Sequence, residues 1–213
     1  MSIGFLMTGE CRDISRLEET ARALAGEAGY GISVWEDGMN IYLCPMGVLE
    51  VGWKADAERA GDWQVEAQCQ STPAGPGLHK AALEFAERLG LEGTTMDDET
   101  AYYSHRDFAR MKKEHFYPWL KMLENICRRE LTGDDKGQMC LGWALDLYIP
   151  QEKKRTIVTE MGRFTPEAFT ALTEAGMEEA VRRFFLWPNE ERDGLFYRNR
   201  AIWALWTRCY FAV

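Results

Sequence analysis

Residues 64–89 read QVEAQCQSTPAGPGLHKAALEFAERL, and their hydrophobic period changes halfway along. In the first part Trp63, Val65, Ala67 and Cys69 alternate with Gln64, Glu66, Gln68 and Gln70. Period two marks a strand with one buried face. In the last part Leu78, Ala82, Phe85 and Leu89 recur at helical spacing. Between the two lies Ser71-Thr72-Pro73-Ala74-Gly75-Pro76-Gly77, a stiff loop with two glycines free to take positive φ. The stretch predicts a strand, a Gly/Pro loop and a helix start. Its clean polar alternation predicts a sheet with one face toward water or a partner.

Upstream, Ile3 to Met7 reads as a short strand. Asp13 or Ser15 offers an N-cap for a helix from about Ile14 to Ala28, with Leu17, Ala21, Leu24 and Ala28 on one stripe and Gly29 at its end. A meander follows: Gly31 to Glu36, Met39 to Cys44, Val48 to Lys54, then the strand from Trp63. Asp37-Gly38 is a two-residue hairpin signal, because a type I′ turn needs positive φ at both positions. Sequential strands with short turns imply an antiparallel sheet.

Downstream of the helix at 78–90, the polar Thr94 to Thr100 reads as a linker. Residues 104–131 carry the longest helical pattern, and Pro118 inside it predicts a kink or split near Tyr117. Gln138 to Ile149 and Arg155 to Glu160 read as two strands of a hairpin turning at Pro150 to Lys154. Thr165-Pro166-Glu167 starts a helix expected to run to about Leu186, and a last helix spans about Leu195 to Phe211. The expected fold is therefore one α+β unit with two lobes. It has a mostly antiparallel meander sheet flanked by helices over residues 1–93, and a helical C-terminal lobe with one β-hairpin over residues 104–213.

Charge is uneven. Residues 1–100 hold 18 acidic and 7 basic side chains, a net charge of −11, within a total of −9. Such a surface repels phosphate backbones, which argues against nucleic acid as a partner. It suits a basic protein partner. No apolar run approaches the roughly 20 residues of a membrane span, and the first ten residues lack a signal peptide's basic flank. A cytoplasmic location is expected. The six cysteines form no CxxC, which predicts reduced thiols.

The candidate ligand-binding residues are Ser71, Thr72, Gly75, Gly77, His79 and Lys80. A helix start with converging N–H groups, a lysine and hydroxyls suits a phosphate or carboxylate. The loop matches neither GxxxxGK[ST] nor GxGxxG, and Pro73 and Pro76 each remove a donor. The plainer reading is a rigid strand-to-helix turn. No metal is expected: His79, His105 and His115 form neither HxxxH nor HExxH. No cofactor motif occurs, and no catalytic residue is assigned. Asp97-Asp98-Glu99 and Asp134-Asp135 read as solvated loops, and Asp146, in an apolar strand pattern, reads as outward. Two functions follow. The first is a non-enzymatic binding protein with an acidic sheet lobe, an inhibitor or immunity-type protein being one form. The alternative is an enzyme or sensor for a small anion at residues 71–80.

Overall fold

The computed structural model describes residues 2–57, 59, 61–130, 138–141, 156–159 and 161–210. The chain divides into two compact units, Met1–Met111 and Lys112–Val213.

The first unit is built on a six-stranded sheet. Its strands are β1 (Gly4–Cys11), β2 (Gly31–Trp35), β3 (Gly38–Cys44), β4 (Gly47–Ala55), β5 (Trp63–Gln70) and β6 (Glu92–Asp98). The order is β2-β3-β4-β5-β1-β6, and every pairing is antiparallel. The meander therefore forms as the alternation requires, and β1 returns beside β5 as its other neighbour. The residues expected as a linker, Thr94 to Thr100, instead supply most of β6. Apart from Met96 their side chains are polar, so no hydrophobic period reveals the strand. Pairing with β1 creates it.

Helix α1 (Ile14–Ala28) is capped by the Asp13 side chain, which accepts from the Arg16 N–H. It ends at Gly29, whose φ of 68° only glycine adopts without cost. Helix α2 (Pro76–Arg88) has Pro76 in its first turn, where its missing N–H is no loss. The core lies between the helices and one sheet face. Met39, Ile41, Leu49, Val65 and Ala67 from the sheet are fully buried, as are Leu78, Ala82, Leu83 and Ala86 of α2. Each large apolar side chain so buried contributes about 1.5–3 kcal/mol. At Gly47 the sheet touches α2 so closely that an added Cβ would lie 2.5 Å from a Leu78 methyl.

The first hairpin corrects one expectation. Trp35 pairs with Gly38, so the two-residue loop is Glu36-Asp37, and neither has positive φ; Gly38 is already in β3. Glycine is needed there for space. An added Cβ would sit 2.8 Å from the Val51 carbonyl oxygen and 2.8 Å from the Trp35 ring.

Beyond β6, α3 (Tyr102–His105) and α4 (Phe108–Met111) complete the first unit. The long helical pattern is thus interrupted. A π-helical turn (Lys112–Phe116) opens the second unit and leads into α5 (Tyr117–Glu130), with Pro118 in its first turn. The irregular hydrogen bonding lies just N-terminal to the proline, where its ring and missing N–H disturb the helix.

In the second unit β7 (Gln138–Leu141), β8 (Thr156–Thr159) and β9 (Gly162–Phe164) form a separate three-stranded sheet. β7 and β8 run parallel, so they are not the expected hairpin; the hairpin is β8–β9. Residues 142–155, with Asp146 and the expected turn at Pro150 to Lys154, lie outside the described residues, as does the Asp134-Asp135 pair. The helix from Thr165 breaks at Gly176, φ 131°, into α6 (Pro166–Ala175) and α7 (Met177–Phe184). Helix α8 (Gly194–Tyr210) follows. Phe184 packs among three rings of this core. Its ring lies 5.2 Å from Phe185, 5.7 Å from Phe169 and 5.8 Å from Trp119, in edge-to-face or tilted pairs that favour aromatic quadrupoles. The buried Asn199 amide donates to the carbonyls of Arg182 and Phe185, satisfying the end of α7.

Candidate functional site

The loop between β5 and α2 closes on the chain's own beginning. The Ser71 N–H and hydroxyl reach the Ile3 carbonyl at 2.8 and 2.9 Å, and the Ile3 N–H donates to Thr72 Oγ1 at 2.7 Å. Gly75, φ 107°, caps α2, and its N–H donates to the Ser71 carbonyl at 2.7 Å. Gly77 is buried in the first turn of α2. Lys80 faces Glu84 one turn on, at 3.3 Å. So Ser71, Thr72 and His79 come together, and Lys80 engages its own helix.

His79 is the centre of that cluster. Its Nδ1 lies 2.9 Å from Ser71 Oγ and its Nε2 3.0 Å from Asp98 Oδ1. Thr100 donates its N–H and hydroxyl to the same oxygen, and the Tyr103 N–H donates to Oδ2 at 2.7 Å. Burial pushes the Asp98 carboxyl up. The hydrogen bonds from His79, Tyr103 and Thr100 outweigh this and hold it well below the usual carboxylate range. These are the three residue types of a hydrolytic triad. Here, though, the side chains of His79 and Asp98 are only 0% and 3% exposed, and Ser71 is 0% exposed. A hydroxyl sealed against Ile3 cannot meet a substrate. The arrangement ties β1, β5, α2 and β6 together.

Sequence reasoning selected Ser71, Thr72 and His79 and missed Asp98 and Thr100, which it placed in a linker. The available signal was chemical: a histidine on the apolar side of a helix needs a polar partner.

The opposite face of the sheet is open. The register carries two rows across it. One runs Ser33, Asn40, Glu50, Gln68, Leu6, Asp97; the next runs Trp35, Gly38, Gly52, Glu66, Thr8, Thr95. Trp35 is 46% exposed and Tyr42 44%. Glu50, Lys54, Gln64, Glu66, Gln68 and Gln70 are exposed too. A hydrogen bond with Ser33 at 3.1 Å, then one from Asn40, holds the Tyr42 phenol below its ordinary value.

A groove of about 380 Å³ lies on this face, lined by Trp35, Asp37, Asn40, Glu50, Val51, Gly52, Glu66 and Gln68. Its lining holds three carboxylates and no cation. Lys54, the next residue of β4 on this face after Gly52, is outside it. Gln68 donates to Glu50 at 2.9 Å, and Asn40 Oδ1 has no hydrogen-bond donor. A second groove, about 530 Å³, lies where β1 enters α1. It mixes Arg12, Arg16 and Arg88 with Glu10, Asp13 and Glu92. Of these, Arg12 faces Glu92 at 3.8 Å and Arg88 binds Glu27 at 2.6 Å.

Among the described residues no three metal-ligating side chains converge. Cys11, Cys44, Cys69 and Cys127 are free thiols. No described helix is long and apolar enough to cross a membrane. No protein-family model matches the chain, and no curated protein or solved structure matches it either.

Proposed function

We propose that this chain is a non-enzymatic binding protein that meets a basic protein partner through the open face of its six-stranded sheet. An inhibitor or immunity-type protein is one form of such a binder. One observation carries the reading. The groove on that face is lined by Asp37, Glu50 and Glu66 with no cation, beside the exposed Trp35. Carboxylates that line a groove without a cation favour and steer an oppositely charged surface, and exposed aromatics supply the apolar area that anchors interfaces. The anionic-ligand alternative at residues 71–80 lacks such support, because Ser71, Thr72 and His79 spend their side-chain polar atoms inside the protein and Lys80 faces Glu84.

The test is a titration with a short peptide of mixed arginine and lysine, followed by backbone NMR shifts. The expected shifts map to β3, β4 and β5 on the open face. Glu50→Gln with Glu66→Gln should weaken binding by roughly tenfold, the equivalent of about 1.4 kcal/mol. Added salt should weaken it further, as for exposed charges. Shifts elsewhere, or none, reject the reading.

A further inference from the structure

We infer that the groove beside Trp35 receives an arginine side chain of the protein partner, stacked on the indole and held by Glu50 and Glu66. This rests on the proposed basic partner and names its anchor. The register places Trp35 and Glu66 in one row with two glycines, Gly38 and Gly52, between them. Strands lie about 4.8 Å apart, so the row spans roughly 14 Å from Trp35 to Glu66. The Trp35 ring lies against Gly38, where an added Cβ would come within 2.8 Å of it. Over Gly52 the space is open: a Cβ there would meet only the Asp37 carbonyl oxygen, at 3.9 Å. The result is a trough with an aromatic wall at one end and a carboxylate at the other.

The polar lining asks for a donor. Glu50 lies diagonally across from Glu66 on the neighbouring strand, one pair along the register, a separation of about 7–8 Å between backbones. The Gln68 amide nitrogen is committed to Glu50, so Gln68 offers the trough its oxygen. A guanidinium fits this set better than an ammonium. It is planar and stacks on an indole, and its five N–H groups spread over two edges that can address two carboxylates at once. An ammonium is a compact point charge whose three donors leave from one atom, so it covers less of the indole face and spans two carboxylates less readily.

The experiment compares two peptides that differ only in carrying arginine or lysine at one central position, measured by tryptophan fluorescence and calorimetry. The arginine peptide is expected to bind at least about fivefold more tightly, and Trp35→Ala to remove that preference. Gly52→Val fills the trough while leaving Trp35 and both carboxylates in place. It should abolish arginine-peptide binding with the melting temperature unchanged or raised. Equal affinity for the two peptides in the wild type overturns the arginine anchor and leaves the basic-partner reading intact. So does full binding by Gly52→Val. Binding of arginine amide as tightly as the peptide overturns the protein-borne source. Binding of neither peptide overturns the proposed function itself.

Discussion

His79 on α2 and Asp98 at the end of β6 are joined by a hydrogen bond of 3.0 Å with almost no solvent access. The pair spans the sheet edge and the helix layer. Its loss would leave a buried polar group without a partner, which is costlier than never having made the pair.

Asp98→Asn should destabilise the protein by about 1–3 kcal/mol, because its NH2 group must face donors that the carboxylate now accepts from on both oxygens. Urea denaturation reads this as a lower midpoint with an unchanged slope. An unaltered midpoint would show that the cluster is dispensable.

The same carboxylate sets a pH dependence. Its folded value lies below the unfolded one, near 3.9. Below that unfolded value the unfolded chain takes up a proton that the folded chain refuses, so stability falls as pH falls. The contribution is fully present above about pH 4 to 5 and is lost through the acid range below. The difference between wild type and Asp98→Asn should shrink over that range. A constant difference down to the acid limit contradicts the assignment.

Gly47→Ala should cost about 1–3 kcal/mol by overpacking against Leu78. In a Leu78→Ala background the cost should be smaller, because the two closest methyls are gone and the Cys44 sulfur, at 2.8 Å, still meets the new Cβ. Additive effects in that double-mutant cycle would place the strain elsewhere.

Gly38→Asn separates two explanations of one glycine. Asparagine tolerates positive φ but has a Cβ. Since Gly38 is required for space, Asn and Ala should both destabilise by about 1–3 kcal/mol. If Asn is tolerated and Ala is not, the turn conformation is the cause after all.

Burial pushes the Cys69 thiol up strongly, and the Cys127 thiol up to about 11. Both should resist alkylation in the native protein at neutral pH, with Cys11 reacting sooner because it is half-exposed. Mass spectrometry after timed labelling checks the order. Early labelling of Cys69 would mean that the first unit opens locally.

Much of the first unit was legible because its signals are local. Val65, Ala67 and Cys69 alternate, Asp13 and Gly29 bracket α1, and Pro76 opens α2; each follows from a backbone preference or a period. The π-helical turn before Pro118 is local too. Gly176, by contrast, broke a helix that the apolar stripe carried through it. The polar β6 and the parallel β7–β8 pair had no such signals, since a strand's partner and direction are set by residues far away in the chain.

The sequence by itself determined that this is an α+β protein, with an acidic first half and a half-open sheet, because period, capping and charge act within a few residues. Only the tertiary structure decided where Asp98, His79 and Trp35 sit. Asp98 became a buried anchor because β6 pairs with β1 and brings it under α2. His79 turns inward because Ser71 and Asp98 engage both ring nitrogens. Trp35 and Glu66 face one trough because three strand registers line them up across two glycines, and no local preference encodes a register that spans four strands.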